Sequence, residues 1–305
     1  MARFLVGILI CAALLGCGTA EAESLPGQML LSGSHVDRYV PATGELRRVA
    51  ENGGEGVLFP SGRELAYIRE VGCFPIGENS CYTEYSIFEK SLDEDAAVPG
   101  RGTFGPADFF VRAVDIARKG KLVFSAATGP GPVDWRRRME IYSANLDGTG
   151  IAQLTHDEAF DNDPVVSPDG TRIAFSRRVH GRGQIFTMRL DGSGLVRVTR
   201  DDRRNRLPAW SPNGRRLVYL SQPVGHVGFV DREVYTVAAS GGPERPLTHN
   251  EISEGKADYS PDGRSIAFLG PDAVWTMGAD GSSPHKILSI GISTGYSDLD
   301  WGSLP

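Results

Sequence analysis

The chain has 305 residues and a formal net charge of −6, with 40% hydrophobic and 23% charged side chains. That apolar content excludes a disordered tail. Four cysteines are too few for a disulfide-stapled miniprotein, and a mildly acidic chain lacks the Lys/Arg excess on which nonspecific nucleic-acid affinity depends.

The first element is a targeting segment. Met1-Ala2-Arg3 is a short positive start, and Phe4 to Leu15 is an unbroken apolar run. It is too short to cross about 30 Å of hydrocarbon as a helix and fits the core of a signal peptide. Two cleavage readings stand. Leu14-Leu15-Gly16-Cys17 resembles the lipobox of bacterial lipoproteins, which makes Cys17 the lipidated residue; Ala20-Glu21-Ala22 offers an A-x-A site for ordinary release. The expected organisation is a signal over 1–17, a tether over 18–27 and one body over 28–305. Export follows: the chain is placed in the cell envelope, periplasm or outer surface, lipid-anchored or otherwise secreted. Cys11 and Cys17 fall in the signal. Cys73 and Cys81 remain, with Pro75 and Gly77 between them, and in an exported chain this spacing predicts a disulfide rather than a metal site.

The body is a repeat. Leu58-Phe59-Pro60-Ser61-Gly62-Arg63-Glu64-Leu65-Ala66-Tyr67 and Asp115-Ile116-Ala117-Arg118-Lys119-Gly120-Lys121-Leu122-Val123-Phe124 are weak copies. Strong ones are Val165-Val166-Ser167-Pro168-Asp169-Gly170, Ala209-Trp210-Ser211-Pro212-Asn213-Gly214 and Asp258-Tyr259-Ser260-Pro261-Asp262-Gly263, each followed by a β-branched and aromatic strand. Pro presets φ for turn entry and Gly takes the positive φ. A second motif follows each first: Glu140 to Thr155, Gln184 to Thr199, Glu233 to Thr248 and Val274 to Leu288 are strand pairs around Asp147-Gly148, Asp191-Gly192, Ser240-Gly241-Gly242 and Asp280-Gly281. Asp-Gly between alternating strands marks a hairpin. Each unit is therefore two hairpins over about 50 residues, which is one propeller blade.

The ends complete the count. Ser297 to Gly302 matches a first strand alone, while Gln28–Ser32, Val36–Val40 and Thr43–Val49 match the other three. The expected fold is all-β: a six-bladed β-propeller of four-stranded antiparallel blades, closed by N- and C-terminal strands sharing one blade. Such closure removes open sheet edges.

With their Ser-Pro-Asp-Gly and Asp-Gly signatures, these WD-like repeats resemble the TolB-type β-propeller family over residues 28–302. The resemblance implies an exported binding scaffold; propellers of that family bind a lipoprotein partner. TolB carries an α/β domain ahead of its propeller, and the stretch before Gln28 leaves no room for one, so a solitary propeller is expected.

Function is expected on the face formed by the second-to-third and fourth-to-first strand connections. These read as long loops: Arg69–Glu84, Ser125–Met139, Arg177–Gly183, Ser221–Arg232, Asp93–Phe110, His156–Asp163, Arg200–Leu207, His249–Lys256 and Ser289–Tyr296. Long loops on a rigid scaffold are the usual place for binding. Candidate ligand-binding residues are Trp135, Arg136, Arg137, Arg138, His156, Arg178, His180, His226 and His249, because Trp and Arg typify binding hot spots. The competing reading makes the arginines solvated and the Thr155-His156 and Thr248-His249 steps mere strand ends. Asp115, Asp258 and Asp300 share one register of the first strand; they could share a cation or act as hydrogen-bond acceptors holding adjacent blades. No metal, cofactor or catalytic residue is assigned: the loop at His156–Asp163 lacks the central Gly of a calcium loop, and Gly291-Ile292-Ser293-Thr294-Gly295 matches G-x-S-x-G without its strand–elbow–helix context. The expectation is a non-catalytic, envelope-associated protein-interaction scaffold, monomeric, touching membrane only through an N-terminal lipid and not binding nucleic acid. An anionic or carbohydrate ligand is also open. The alternative is a carbohydrate-active propeller enzyme with a metal or His site at the channel mouth.

Overall fold

A computed structural model describes residues 25–303 apart from 52, 60, 78–79, 93–108, 118–119, 129–138, 158, 226–230, 251–252 and 291–295. The signal, Cys17, most of the tether, Trp135, Arg136, Arg137, Arg138, His226 and the 291–295 motif lie outside the described residues. Every described regular element is a strand, and among the described residues no helix is long and apolar enough to cross a membrane.

The first sheet joins the two ends. β1 (Gln28–Ser32), β2 (His35–Val40) and β3 (Glu45–Glu51) are completed on the inner side by β23 (Asp298–Gly302), in the order β23-β1-β2-β3. Met29 pairs with Trp301 and Leu31 with Leu299. The second sheet has three described strands, β4 (Gly53–Leu58), β5 (Glu64–Gly77) and β6 (Ser80–Ser91). Four sheets of four strands follow: β7 (Phe109–Ala117), β8 (Lys121–Thr128), β9 (Glu140–Asn145) and β10 (Ala152–Gln153); β11 (Asp161–Val166), β12 (Arg172–Val179), β13 (Arg182–Arg189) and β14 (Val196–Arg197); β15 (Arg204–Trp210), β16 (Arg216–Gln222), β17 (Glu233–Ala238) and β18 (Arg245–Pro246); β19 (Ala257–Tyr259), β20 (Ser265–Leu269), β21 (Ala273–Gly278) and β22 (His285–Ser289). The inner strands β4, β7, β11, β15, β19 and β23 touch one another in ring order, and β23 returns to β4. This is a closed β-propeller.

Two expectations need correction. Five blades, not six, have four strands; the sheet β4-β5-β6 has three, and the stretch that would follow β6 lies outside the described residues. The stretch 69–84, read as a long loop, is mostly strand, because β5 and β6 continue pairing to Gly77 and Ser80. Arg177–Gly183 likewise shrinks to the two-residue turn His180-Gly181, with Val179 opposite Arg182.

The turn signature has a hydrogen-bond reason at each residue. Ser167 Oγ donates to Asp169 Oδ1 at 2.6 Å and accepts from Arg172 N at 2.9 Å, while Asp169 Oδ1 also takes Thr171 N at 3.0 Å. Ser211 with Asn213 and Ser260 with Asp262 repeat the pattern within 0.3 Å or so. Gly170, Gly214 and Gly263 stand at φ of 70°, 66° and 72°, the left-handed region that a side chain resists.

The core lies between blades. Each apolar cluster spans one pair of neighbouring sheets: Val123 and Ile141 pack on Ile173, Phe175 and Phe186, and Val218 and Leu220 on Tyr259, Ile266 and Phe268. Side chains from alternate strand positions thus face opposite neighbours. The inner strands β4, β7, β11 and β15 each break register at the same place, between Gly53 and Gly56, Val111 and Ala113, Asn162 and Val165, and Arg206 and Ala209. Pro164 and Pro208 sit in two of these irregularities, where a missing N–H costs no ladder bond. Such bulges re-aim side chains, here at the level of the central channel.

Candidate functional site

At the long-loop end, one polar node recurs from blade to blade. Thr155 Oγ1 accepts from Ile141 N at 2.9 Å and donates to the Glu140 carboxylate. Thr199 does the same between Ile185 N and Gln184 Oε1, and Thr248 between Val234 N and the Glu233 carboxylate. A hydroxyl at this position ties the end of an outer strand to the start of the third strand. At the node between the third and fourth sheets, Arg177 donates through Nε and Nη2 to Asp161 at 2.8 and 2.5 Å and through Nη1 to Asp157 at 2.5 Å. Glu140, Asp157 and Asp161 bring their oxygens within 4.8 Å of one another. The guanidinium of Arg177 occupies that meeting point, which explains three close carboxylates without a metal. Burial pushes the Glu140 and Asp161 carboxyls above the usual carboxylate range, against the pull of Thr155 and Arg177 respectively.

The predicted binding residues are dispersed. His156 and His249 are exposed, each one step past a node threonine on a different blade. His180 is exposed at φ 49° as the first residue of the β12–β13 turn. Arg178 is exposed and lies over the Phe160 ring at 4.7 Å. The structure brings none of His156, His180 and His249 into contact with another. Arg177 and Arg178, read together from sequence, point to opposite sides of β12, one into the node and one to solvent. The register sets Cys73 opposite Thr83 and Cys81 opposite Pro75.

The aspartates of the inner strands act as blade latches. Asp115 Oδ2 accepts from Val166 N of the next blade at 2.6 Å, Asp258 Oδ2 from Trp301 N at 2.9 Å, and Asp300 Oδ2 from Leu58 N at 2.9 Å. They line a cavity of about 280 Å³ at the short-turn end of the channel, together with Lys256, Trp210, Trp301 and Tyr259. Burial pushes Asp115 up to about 7, and burial with mutual repulsion raises Asp258 well above the ordinary value. Lys256 Nζ meets Asp298 Oδ1 at 2.7 Å.

Sequence reading missed three groups. His35 Nε2 lies 3.2 Å from Asp37 Oδ2, Arg48 Nε donates to Asp37 Oδ1 at 3.1 Å, and the Tyr296 hydroxyl donates to the same carboxylate. Tyr296 comes from the far end of the chain, so only the closing of the ring assembles the group. Glu254 is fully buried, with one oxygen taking Asn250 Nδ2 at 2.8 Å; burial and the charge of Glu233 push it up to about 7. Arg206 sits at the bulge of β15. The signal for it was available: it holds the register that Arg112 holds on β7 and Asn162 on β11.

Comparison with known proteins agrees with this architecture. Residues 133–236 match the family model for the TolB beta propeller domain. A 130-residue stretch, 43% of the chain, is 28% identical to the Protein TolB homolog of Chlorobium luteolum; it spans 28% of that protein's length. Among solved structures, TolB from Acinetobacter baumannii superposes with a TM-score of 0.65 at 16% identity, covering 91% of this chain and 67% of that one. A chain of a nidogen/laminin complex superposes at 0.66 with 11% identity, covering 90% and 97%. The Ser-Pro-Asp-Gly repeats and the closed ring of antiparallel sheets make this chain a β-propeller, and the match over 133–236 makes that stretch similar to the TolB beta propeller domain.

Proposed function

We propose that the chain is an exported, envelope-associated binding scaffold that holds a protein partner on its long-loop face without catalysing a reaction. The observation that carries this reading is the division of labour at that face. The buried Arg177 is consumed by Asp157 and by Asp161, its cross-strand neighbour, whereas Arg178, His156, His180 and His249 stand exposed on the finished scaffold. The likeness to TolB propellers supports an envelope setting. The same reading includes a signal over residues 1–17, lipidation at Cys17, the Cys73–Cys81 bond, and Trp135 with Arg136–Arg138 and His226 as further contact residues.

Affinity capture from envelope extract with the tagged full chain tests the reading. A protein partner is expected, and Arg178→Ala with His249→Ala should weaken its retention about tenfold. Failure to retain any protein, or retention indifferent to every exposed residue of this face, overturns it. Cys17→Ala is expected to move the chain from the membrane to the soluble fraction; unchanged membrane association sinks the lipid anchor.

A further inference from the structure

The long-loop end of the channel holds an unusual guanidinium. Arg206 reaches Gln222 Oε1 through Nη2 at 3.5 Å, the long limit of a hydrogen bond, and makes no ion pair within 4.0 Å among the described residues. The acid it senses is Asp163, whose oxygens are already engaged: they accept from Asn162 Nδ2 at 2.6 Å, Ser176 Oγ at 2.8 Å and Leu207 N at 3.4 Å. Arg206 also lies within electrostatic reach of Arg112 on β7, of Arg204 on its own strand and of Arg232 ahead of β17. Arg206 thus stands on an inner strand at the bulge of β15, with charged groups of two other inner strands, Asp163 on β11 and Arg112 on β7, within electrostatic reach. Burial and these like charges lower Arg206 from its ordinary value and bring Arg232 down to about 10. Arg112, at the same register on β7, is exposed.

A half-buried arginine with a single long hydrogen bond presents most of its planar fork of donors to the channel. Two in-plane oxygens match that fork. A singly charged group suits it better than a phosphate, because Asp163 stands beside the site and the chain as a whole carries −6. We infer that Arg206 is a carboxylate receptor, taking an acidic side chain of the protein partner that enters the channel from the long-loop face. This rests on the scaffold reading above and names the chemistry of the partner's contact.

Calorimetric titration of the full chain with a tri-glutamate peptide, a tri-glutamine peptide and inorganic phosphate tests it. Saturable binding of tri-glutamate is expected, with none of tri-glutamine. Arg206→Gln should weaken it at least about tenfold, a loss equivalent to about 1.4 kcal/mol, and Arg264→Gln on the opposite face should leave it unchanged. If Arg206→Gln does not melt cooperatively, Arg206→Lys carries the test: the charge stays, the fork is lost, and a drop of about threefold or more is expected. Equal affinity for the two peptides, or for wild type and Arg206→Lys, overturns the site. Tighter Arg206-dependent binding of phosphate than of tri-glutamate overturns the carboxylate assignment. A captured envelope partner that Arg206→Gln retains in full removes this inference and leaves the scaffold reading standing. Arg206-dependent tri-glutamate binding with no captured partner does the reverse.

Discussion

At the scale of single residues, small side chains do as much to define this molecule as large ones. At three of the second-hairpin turns, a glycine docks against the backbone of the preceding blade. An added Cβ would meet Leu154 O at 3.0 Å from Gly192, Val198 O at 3.4 Å from Gly241 and Leu247 O at 2.8 Å from Gly281. Gly281 also stands at φ 87°. Gly281→Ala is therefore expected to combine left-handed strain with a clash against an immobile carbonyl, costing about 2–3 kcal/mol. Gly44→Ala, at φ 72° with nothing within 4 Å, should cost only about 1 kcal/mol. Chemical denaturation of both variants checks the difference, and equal losses would show that the inter-blade contact contributes nothing. Sequence reading assigned these glycines to hairpins, where they lie. It had no access to the second role, because the carbonyl they meet belongs to a neighbour about 40 residues away. Arg177 and Arg178 show the same limit: adjacent letters, opposite fates, decided by which side of β12 faces Asp161.

At the scale of elements, the repeat made strand order legible and loop length illegible. Gln28–Ser32 and Asp298–Gly302 were readable as parts of one blade because each carried a fragment of the same pattern. The β5–β6 hairpin was not readable, since Gly72, Pro75 and Gly77 mimic a loop while the flanking residues keep pairing. The node threonines were read as strand ends, which is where they lie, but their hydroxyls carry the third strand's first N–H. Thr248→Val is expected to leave Val234 N buried without that acceptor and Glu233 without its donor, at about 1–3 kcal/mol. Thr248→Ser keeps the hydroxyl and should recover most of the loss. Thermal melts of the two variants compare them directly, and identical melts would mean the hydroxyl is dispensable. The Glu/Gln-to-Thr spacing, repeated at 140 and 155, 184 and 199, 233 and 248, was the signal that could have located these nodes from sequence.

At the scale of the whole molecule, ring closure and proton binding are linked. The latches of Asp258 onto Trp301 and Asp300 onto Leu58 flank the blade that joins the chain ends. Of the two sequence readings for Asp115, Asp258 and Asp300, the geometry shows the acceptor role, because each carboxylate is engaged by the next blade's backbone. Burial raises all three above 3.8, Asp115 to about 7, and Glu254 likewise reaches about 7. The folded chain thus holds protons that the unfolded chain releases. That contribution to stability is complete below the unfolded value near 4 and is lost as pH rises through about 7. The turn aspartates Asp147, Asp169 and Asp191 shift the other way, held low by their hydroxyl and amide donors, so they oppose the trend only at more acid pH. The melting temperature is expected to peak near pH 5 and to fall by several degrees towards pH 8. Asp300→Asn keeps an oxygen for Leu58 N and removes one titrating group, so it should raise the melting temperature at pH 8 and shrink the drop. A profile flat between pH 5 and 8, or one that Asp300→Asn leaves unchanged, would separate the latches from the proton balance. A drop that shrinks with Asp300→Asn makes the seam of the ring the place where acidity acts on the fold.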